Sequence, residues 1–244
     1  MRLLKKAILI SLVTMLILIV IVIIFFSKKE IGITNKEEND SLSKVNDEEL
    51  FLFEQEGKEI SIPIKSIPVY EEYLNEQSDR NLEIQRTLYD FLDFHDSAGS
   101  TYILLKYSCG TKLCSTLLIK LSNEIISSIA LGYGSIFMEA KQSPNPNYAA
   151  FLYGQNEGNQ VLRNNLLAVD LRRMKLLTAI NNEVANNYID SAIWPITSFN
   201  WLNNHMLEIQ TADILNSDYN ALLNWYESSM KTKEVQIEIQ DNDE

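Results

Sequence analysis

The sequence predicts an α+β fold, an antiparallel β-sheet meander with two or three packed helices, preceded by one N-terminal transmembrane helix. Three observations predict it. An uncharged apolar run lies near the N-terminus, apolar residues alternate between turn residues over much of the chain, and two stretches place apolar residues three or four positions apart. The chain has 244 residues, of which 46% are hydrophobic, so the part beyond the apolar run is long enough for one well-packed domain.

The apolar run predicts a membrane anchor. Residues 7–27 carry no charge and consist mainly of Leu, Ile, Val and Phe. At about 1.5 Å per residue, a helix of this length crosses a hydrocarbon core of about 30 Å. The alternative is a secretory signal peptide, whose apolar stretch is about 7 to 15 residues long and ends in small residues. Because this run ends in Phe25-Phe26 and continues into Lys28-Lys29, we expect an uncleaved single-pass signal anchor.

The anchor sets the expected domain organisation. We predict a short cytoplasmic N-terminus at residues 1–6, the anchor at 7–27, a polar tether at 28–48, a single extracytoplasmic α+β domain at 49–240 and an acidic tail at 241–244. The tether is rich in Lys, Glu, Asn, Asp and Ser, a composition typical of solvated linkers. No Pro/Gly/Ser-rich break interrupts the following region, which favours one domain over two.

The orientation of the anchor is predicted from features outside its basic flanking residues. Basic residues are nearly balanced on its two sides, so the positive-inside rule does not decide the direction. All acidic residues lie after the anchor, and the only two cysteines, Cys109 and Cys114, form a C-x4-C pair. Both features favour a C-terminal domain outside the cytoplasm, at a bacterial inner (plasma) membrane and facing the periplasm.

The charge of the chain excludes some partners. Without Arg2, Lys5, Lys6, Lys28 and Lys29, the remainder carries 16 basic against 33 acidic residues, which leaves a net charge of −17. Such a surface repels nucleic acid and anionic lipid. We therefore expect no nucleic-acid partner. The excess of acid serves solubility, or it attracts a basic protein.

The first half of the domain is predicted to contain a hairpin, two helices and two strands. Residues 50–64 alternate apolar side chains around Gly57, as in a β-hairpin. Pro68 suits the first turn of a helix, and residues 68–94 are predicted to form two helices with a break near Ser78-Asp79. Residues 102–108 and 115–121 are rich in Ile, Leu, Tyr and Thr and predict strands.

The second half is predicted to be mainly β. Further strands are expected at residues 124–131, 135–141, 148–153, 161–171, 176–180, 197–202 and 206–211. Turn residues separate them, as at Gly132-Tyr133-Gly134. A helix at residues 217–230 and a last strand at 233–240 complete the domain.

One stretch resembles a known architecture. The segments S-P-N-P-N-Y-A-A-F-L at residues 143–152 and L-L-A-V-D-L-R-R-M-K at 166–175 resemble the strand, turn and strand of a propeller blade of the TolB-like or WD-repeat kind. Residues 199–209, F-N-W-L-N-N-H-M-L-E-I, resemble the opening of a next unit. The resemblance covers residues 143–209 and implies an antiparallel meander. A closed propeller needs at least four blades of about 40 to 45 residues, and the predicted helices occupy too much of the chain for that.

The two cysteines predict a disulfide. Cys109 and Cys114 lie between two predicted strands, so a four-residue loop would place them across the mouth of a hairpin, where paired residues are close enough to bond. Redox catalysis prefers C-x-x-C at a helix start, and a metal site needs more ligands than two cysteines. We therefore favour a structural disulfide formed in an oxidising compartment.

The richest polar cluster consists of Asp90, Asp93, His95 and Asp96, at the end of the second predicted helix. A histidine beside a helix C-terminus usually bonds the last carbonyls and interacts favourably with the helix dipole, which predicts a capping role. The alternative is an acid/base or metal-binding group. In that alternative the protein is a membrane-anchored envelope hydrolase that uses the carboxylates near His95. A glycosidase, for example, needs only two carboxylates.

The aromatic residues of the last third include candidate partner-binding residues, Trp194, Pro195 and Trp201. Trp194-Pro195 ends an Asn-rich loop at residues 181–195, which is long for a connector. Tryptophan is a common anchor of protein interfaces, although most aromatic residues pack in cores.

The absence of sequence motifs guides the functional expectation. The sequence contains no nucleophile elbow, H-E-x-x-H, P-loop or dinucleotide fingerprint. We expect no catalytic residue, no metal and no cofactor. The predicted function is a membrane-anchored, extracytoplasmic, noncatalytic protein-binding or inhibitory module, an immunity-type inhibitor being one form of it. Its expected partners are the membrane, through the N-terminal helix, and another protein, a basic one in the form that charge favours. The sequence does not indicate the oligomeric state.

Overall fold

The computed structural model of the chain describes residues 42–45, 48–55, 57–123 and 125–240. The predicted anchor at residues 7–27 and the predicted acidic tail at 241–244 lie outside these ranges and stay predictions. Within the described ranges, no helix combines the length and apolar character that crossing a membrane requires.

The described chain is mostly antiparallel β-structure, as predicted for an α+β fold. It has four short helices where two or three were expected, because part of the predicted loop at residues 181–195 is helical. The strands are β1 (Leu42–Val45), β2 (Glu48–Gln55), β3 (Lys58–Pro63), β4 (Leu88–Leu92), β5 (Thr101–Tyr107), β6 (Ser115–Ser122), β7 (Ile125–Ala130), β8 (Ile136–Gln142), β9 (Tyr148–Glu157), β10 (Val161–Asp170), β11 (Lys175–Ala179), β12 (Ile196–Asn203), β13 (Met206–Ala212) and β14 (Thr232–Gln240). The helices are α1 (Pro68–Asn75), α2 (Arg80–Arg86), α3 (Asn182–Val184), which continues as a π-helix (Ala185–Ile189), and α4 (Tyr219–Tyr226).

The strands form three sheets in the described chain, whereas the sequence suggested one. The first has the order β1-β2-β3 and the second the order β4-β5-β6-β7. The third has seven strands in the order β12-β13-β14-β11-β10-β9-β8. Alternating apolar residues specify which face of a strand is buried but not which strands share a sheet, so the pattern alone left the division open.

The sheets stack because the middle strands are apolar on both faces. In β9, Phe151 and Tyr153 pack in one core with Leu104 and Leu118 of the second sheet. The alternate residues Ala150 and Leu152 pack in another core with β12, β13 and β14. Successive side chains of a strand point to opposite faces, so β9 is covered on both. The meander predicted from residues 143–152 and 166–175 is present as β8 to β11.

The seven-stranded sheet curls until its two edge strands meet. Its inner face is apolar and includes residues of β9, β10, β11, β12, β13 and β14. Lys141 of β8 donates a hydrogen bond of 2.6 Å from Nζ to the carbonyl of Phe199 in β12. The indole Nε1 of Trp201 in β12 donates one of 3.0 Å to the carbonyl of Lys141. These side chains satisfy backbone groups that edge strands otherwise leave free.

The N-terminal hairpin and helices cover the second sheet. The β2–β3 hairpin turns at Gly57 as predicted, with Gln55 opposite Lys58. Phe51 of β2 and Tyr70 of α1 lie in one core with β5 and β6. The hairpin also pairs with β1, which occupies residues 42–45 of the predicted tether.

The predicted helix to residue 94 is wrong beyond Arg86. The break near residues 78–79 is present, and the side chain of Asp79 caps α2 by accepting a hydrogen bond of 3.0 Å from the Leu82 amide. From Leu88 the chain is strand β4, which pairs with β5. Tyr89 and Phe91 alternate and pack on Phe53, with ring centroids 4.9 and 6.5 Å from it. This tertiary packing overrides the helical spacing.

The seal between β8 and β12 is testable with Lys141→Met, which keeps the aliphatic stem and removes the ammonium. The Phe199 carbonyl loses its charged donor, so we expect the free energy of unfolding to fall by about 1 to 3 kcal/mol. Urea denaturation measures the change. The control is Lys112→Met, at an exposed position of the Cys109 loop, where we expect a change under about 0.5 kcal/mol. Equal losses in both variants would contradict the seal.

Candidate functional site

The predicted disulfide pair is present. The sulphurs of Cys109 and Cys114 lie at bonding distance, 2.13 Å, with Cα atoms 4.1 Å apart. The loop between them closes with a hydrogen bond of 2.8 Å from the Gly110 amide to the Leu113 carbonyl. Cys114 also forms a two-way backbone bridge with Ser135, each bond 3.0 Å long. The disulfide therefore closes the connection between β5 and β6, and the backbone bridge of Cys114 joins the start of β6 to the residue before β8.

The polar cluster at residues 90–96 does not converge on one point. Asp90 forms an ion pair with Lys106. His95 Nε2 lies 3.3 Å from Asp93 Oδ1, and their side chains are 82% and 97% exposed. Since β4 replaces the predicted helix end here, the capping role expected for His95 is wrong. Among the described residues, no three His, Cys, Asp or Glu side chains are grouped to hold a metal ion.

Asp96 has a structural role. Its carboxylate accepts hydrogen bonds from the Ser100 amide at 2.9 Å, the Ser100 hydroxyl at 2.7 Å and the Tyr102 hydroxyl at 2.9 Å, and it pairs with Lys120 at 3.0 Å. Burial opposes ionisation of Asp96, but the hydrogen bonds from Ser100, Lys120 and Tyr102 outweigh it and hold its pKa well below the usual range. Asp96 thus fixes the turn before β5.

The three candidate partner-binding residues do not form a common exposed patch. Trp194 is half-buried, Pro195 is buried, and Trp201 is half-buried with its indole bonded across the β8–β12 seal. The Trp194 carbonyl accepts a 2.8 Å hydrogen bond from the Asn164 amide, and Lys233 Nζ lies 5.6 Å from the Trp194 ring centroid. These contacts give Trp194 and Trp201 a role within the domain. Partner binding by Trp194, Pro195 and Trp201 stays a prediction.

The structure has an open groove beside β9, β10 and β11, with a volume of about 380 Å³. The β7–β8 connection forms one wall, and the end of the π-helix forms the rim. The lining residues are Leu131, Gly132, Tyr133, Ser135, Gln155, Asn165, Leu167, Leu176, Leu177, Thr178, Ile189 and Asp190. We call this site the Tyr133 groove.

A buried hydrogen-bond network holds the wall of the Tyr133 groove. Thr116 Oγ1 bonds the Tyr153 hydroxyl at 2.7 Å and accepts a bond of 3.0 Å from the Gly132 amide. Burial raises the pKa of Tyr153 well above its usual range, so this phenol stays protonated. A Cβ on Gly132 would lie 2.7 Å from the Tyr153 ring. Glycine is therefore required where the connection crosses Tyr153.

Beyond this fixed point the wall exposes an aromatic side chain. Tyr133 is 64% exposed, and Gly134 follows with a φ of +51° that favours glycine. Gly132 before Tyr133 and Gly134 after it thus turn the chain so that Tyr133 lies at the surface of the groove. A tyrosine side chain, with its apolar ring and polar hydroxyl, suits a contact surface at this position.

One buried polar atom of the wall is unsatisfied. Ser135 is 3% exposed, and its Oγ has no hydrogen-bond partner among the described residues. An orphaned hydroxyl in a protein interior costs about 1 to 3 kcal/mol, so it marks a position where function or a further ligand atom has to be considered. Its backbone, by contrast, is fully bonded to Cys114.

The chemistry of the Tyr133 groove is apolar with a single charge. Leu131, Leu167 and Leu176 supply apolar surface. Amide and hydroxyl groups come from Gln155, Asn165 and Thr178, and the one charged lining residue is Asp190. The Asn165 side chain donates a 3.4 Å hydrogen bond to the Ile189 carbonyl. This bond ties the rim that bears Asp190 to β10.

Comparison of the chain with protein-family models, with curated proteins and with solved structures gives no match.

Sequence reasoning missed the Tyr133 groove. Its residues come from five separate segments, of which the sequence marks only Gly132-Tyr133-Gly134, as a turn. The available signal was Tyr133, an aromatic residue between two glycines in a turn, where a side chain is not expected to be buried. No sequence pattern marks Asp190 as a binding residue. Tyr188, two residues before it, is buried in the core, whereas Asp190 is exposed.

The structural role of Asp96 predicts a pH-dependent stability. We expect Asp96→Asn to lower the free energy of unfolding by about 2 kcal/mol near pH 7, because an ionised acceptor of several bonds is lost. The pKa of Asp96 is depressed in the folded state. Its contribution is therefore complete above the unfolded value of about 3.9 and is lost as the pH falls below it.

Urea denaturation across this pH range measures the difference between wild type and Asp96→Asn, which should shrink on acidification. The matched control is Asp93→Asn, since the Asp93 side chain is 97% exposed, and it should leave stability unchanged. A difference that persists at acidic pH would contradict the assignment.

Proposed function

We propose that the domain is a noncatalytic protein-binding module whose Tyr133 groove receives a Lys or Arg side chain of a basic partner. The observation that carries this proposal is the lining of the groove, a leucine floor with Asp190 as its one charged residue. A lysine or arginine needs both surfaces, because its stem is aliphatic and its end is cationic.

Charge and exposure support a protein as the occupant. The chain has a formal net charge of −12 at pH 7, which raises the rate of encounter with a basic partner. Tyr133 at the wall and Leu176 at the floor are exposed at 64% and 37%, and a tyrosine anchor beside an apolar floor is typical of interface hot spots. A partner loop that inserts a basic side chain would cover both.

The expected setting remains the membrane surface. We propose that the N-terminal helix holds the module outside the cytoplasm, and the Cys109–Cys114 pair supports this because stable disulfides form in oxidising compartments. An inhibitory, immunity-type version would place a basic toxin in the Tyr133 groove and block its active surface. The anchor would then keep the inhibitor where such a toxin arrives.

The partner is identified by a photo-crosslinking amino acid at position 133 of the full chain in membranes. We expect a covalent adduct with one basic protein, and no such adduct from the same amino acid at Leu215, a fully exposed position. With the purified partner, Asp190→Asn should raise Kd by about tenfold, since a charge-assisted contact contributes about 1.5 kcal/mol. Calorimetry measures Kd.

The matched control is Asp213→Asn, which removes an exposed carboxylate outside the groove and should change Kd less than about twofold. Higher ionic strength should weaken the wild-type complex more than the Asp190→Asn complex. An acidic partner, or equal losses in the two variants, would refute the proposal. Hydrolysis of envelope material that is lost on Asp93→Ala and His95→Ala would favour the enzyme instead.

The orientation is tested with alkaline phosphatase fused after Glu244 and by thiol labelling of Cys109 and Cys114. We expect an active fusion and thiols that label only after reduction, because the domain lies in an oxidising compartment. An inactive fusion with freely labelled thiols would contradict the external location. A soluble domain released by cleavage after residue 27 would contradict the anchor alone.

A further inference from the structure

The wall of the Tyr133 groove, residues 131–135, is bonded at both ends to one short segment at the start of β6. At the first end, the Thr116 amide donates a hydrogen bond of 2.7 Å to the Gly132 carbonyl. At the second end, Ser135 and Cys114 exchange two backbone hydrogen bonds of 3.0 Å. The exposed tyrosine of the wall lies between these two ends, so its position depends on where the start of β6 lies.

The disulfide fixes the start of β6. It closes the connection between β5 and β6 at Cys114, and the loop inside it is closed by the bond of 2.8 Å from the Gly110 amide to the Leu113 carbonyl. Ser108, just before the disulfide, has a φ of +50°, a left-handed conformation that is unfavourable for residues other than glycine. The covalent bond therefore holds a loop whose backbone favours another conformation once the bond is broken.

The disulfide is accessible from solvent on one side. Cys109 is exposed, whereas Cys114 is half-buried. An attacking thiolate therefore reaches the Cys109 sulphur first, and the Cys114 sulphur is the leaving group. Once released, Cys114 is still bonded to Ser135 of the wall but no longer to the end of β5. A change at the disulfide is thus passed to the wall by a residue in direct contact with both.

We propose that the Cys109–Cys114 disulfide is a redox switch of the Tyr133 groove, whose wall is ordered while the pair is oxidised and loosens when the pair is reduced. A dithiol is the reductant. Its first thiolate attacks Cys109 Sγ, the bond between the two cysteine sulphurs breaks, and Cys114 leaves as a thiolate that takes up a proton. The second thiol displaces Cys109 and closes the disulfide of the reductant, so two electrons and two protons pass to the pair.

The switch makes binding depend on the redox state of the surroundings. Among reducing thiols the pair stays reduced, and the groove reaches its binding form only after the pair has been oxidised. This consequence rests on the proposed function, because it concerns the binding of a basic partner. The loosening of the wall does not rest on it and can be measured without a partner.

Hydrogen exchange of the full chain in detergent, followed by mass spectrometry, measures the wall directly. Reduction with dithiothreitol should raise the exchange rate of residues 131–135 by at least about tenfold, because their hydrogen bonds to the start of β6 open more often. The amides of β13, a strand paired on both sides, should not change. The double variant Cys109→Ala/Cys114→Ala should exchange like the reduced protein with or without dithiothreitol. The control Lys112→Met, in the same loop, should exchange like the wild type.

Calorimetry with the basic partner then tests the regulation of binding. Kd should be at least about tenfold higher for the double variant than for the oxidised wild type, since the wall is no longer pre-organised. Unchanged exchange at residues 131–135 overturns the switch. Faster exchange throughout the domain, β13 included, also overturns it, because the disulfide would then stabilise the whole fold. A faster wall with an unchanged Kd overturns the regulation and leaves the proposed function intact, whereas failure to find a basic partner refutes the proposed function and leaves the exchange rates to decide the switch.

Discussion

Strands β9 and β10 are buried on both faces, and this burial positions the second sheet against the seven-stranded sheet. Tyr153 on one face of β9 belongs to the core shared with the second sheet, while Leu152 on the other belongs to the core inside the curled sheet. On one face of these strands the second sheet does not reach Gln155 and Asn165, which line the Tyr133 groove instead. The groove thus lies where the strands are no longer packed on both faces. Its apolar floor is a continuation of the same core.

The buried polar residues mostly hold strands in register. Asp170 is fully buried at the end of β10 and accepts hydrogen bonds from the Arg172 amide at 2.8 Å and from Arg173 Nε at 2.9 Å. Burial opposes its ionisation, but these bonds outweigh burial and lower its pKa. Asn164 is equally enclosed and accepts a 2.9 Å hydrogen bond from the Ile196 amide. Against this pattern of satisfied groups, the orphaned hydroxyl of Ser135 is an exception, and it lies in the wall of the groove.

The sequence predicted strands and turns better than their assembly. The hairpin around Gly57, the disulfide loop and the strands from β5 to β14 follow from alternation and turn chemistry, which are local. The helix predicted at Leu88 is wrong because Leu88, Phe91 and Leu92 also fit helical spacing, and only packing against Phe53 favours a strand. The groove and the β8–β12 seal depend on residues such as Lys141 and Phe199 that are far apart in sequence. No local pattern encodes contacts of that range. The propeller-blade resemblance anticipated the antiparallel meander but not the curled sheet.

The position of β14 has a consequence for the order of folding. This strand is synthesised after β13 yet lies between β13 and β11 in the sheet. The β8–β11 meander consists of sequence neighbours and can assemble as the chain emerges, because its loops are short. Until residues 232–240 arrive, however, β11 and β13 each present an unpaired edge. The domain would therefore remain open to proteases and chaperones until its last strand has been synthesised.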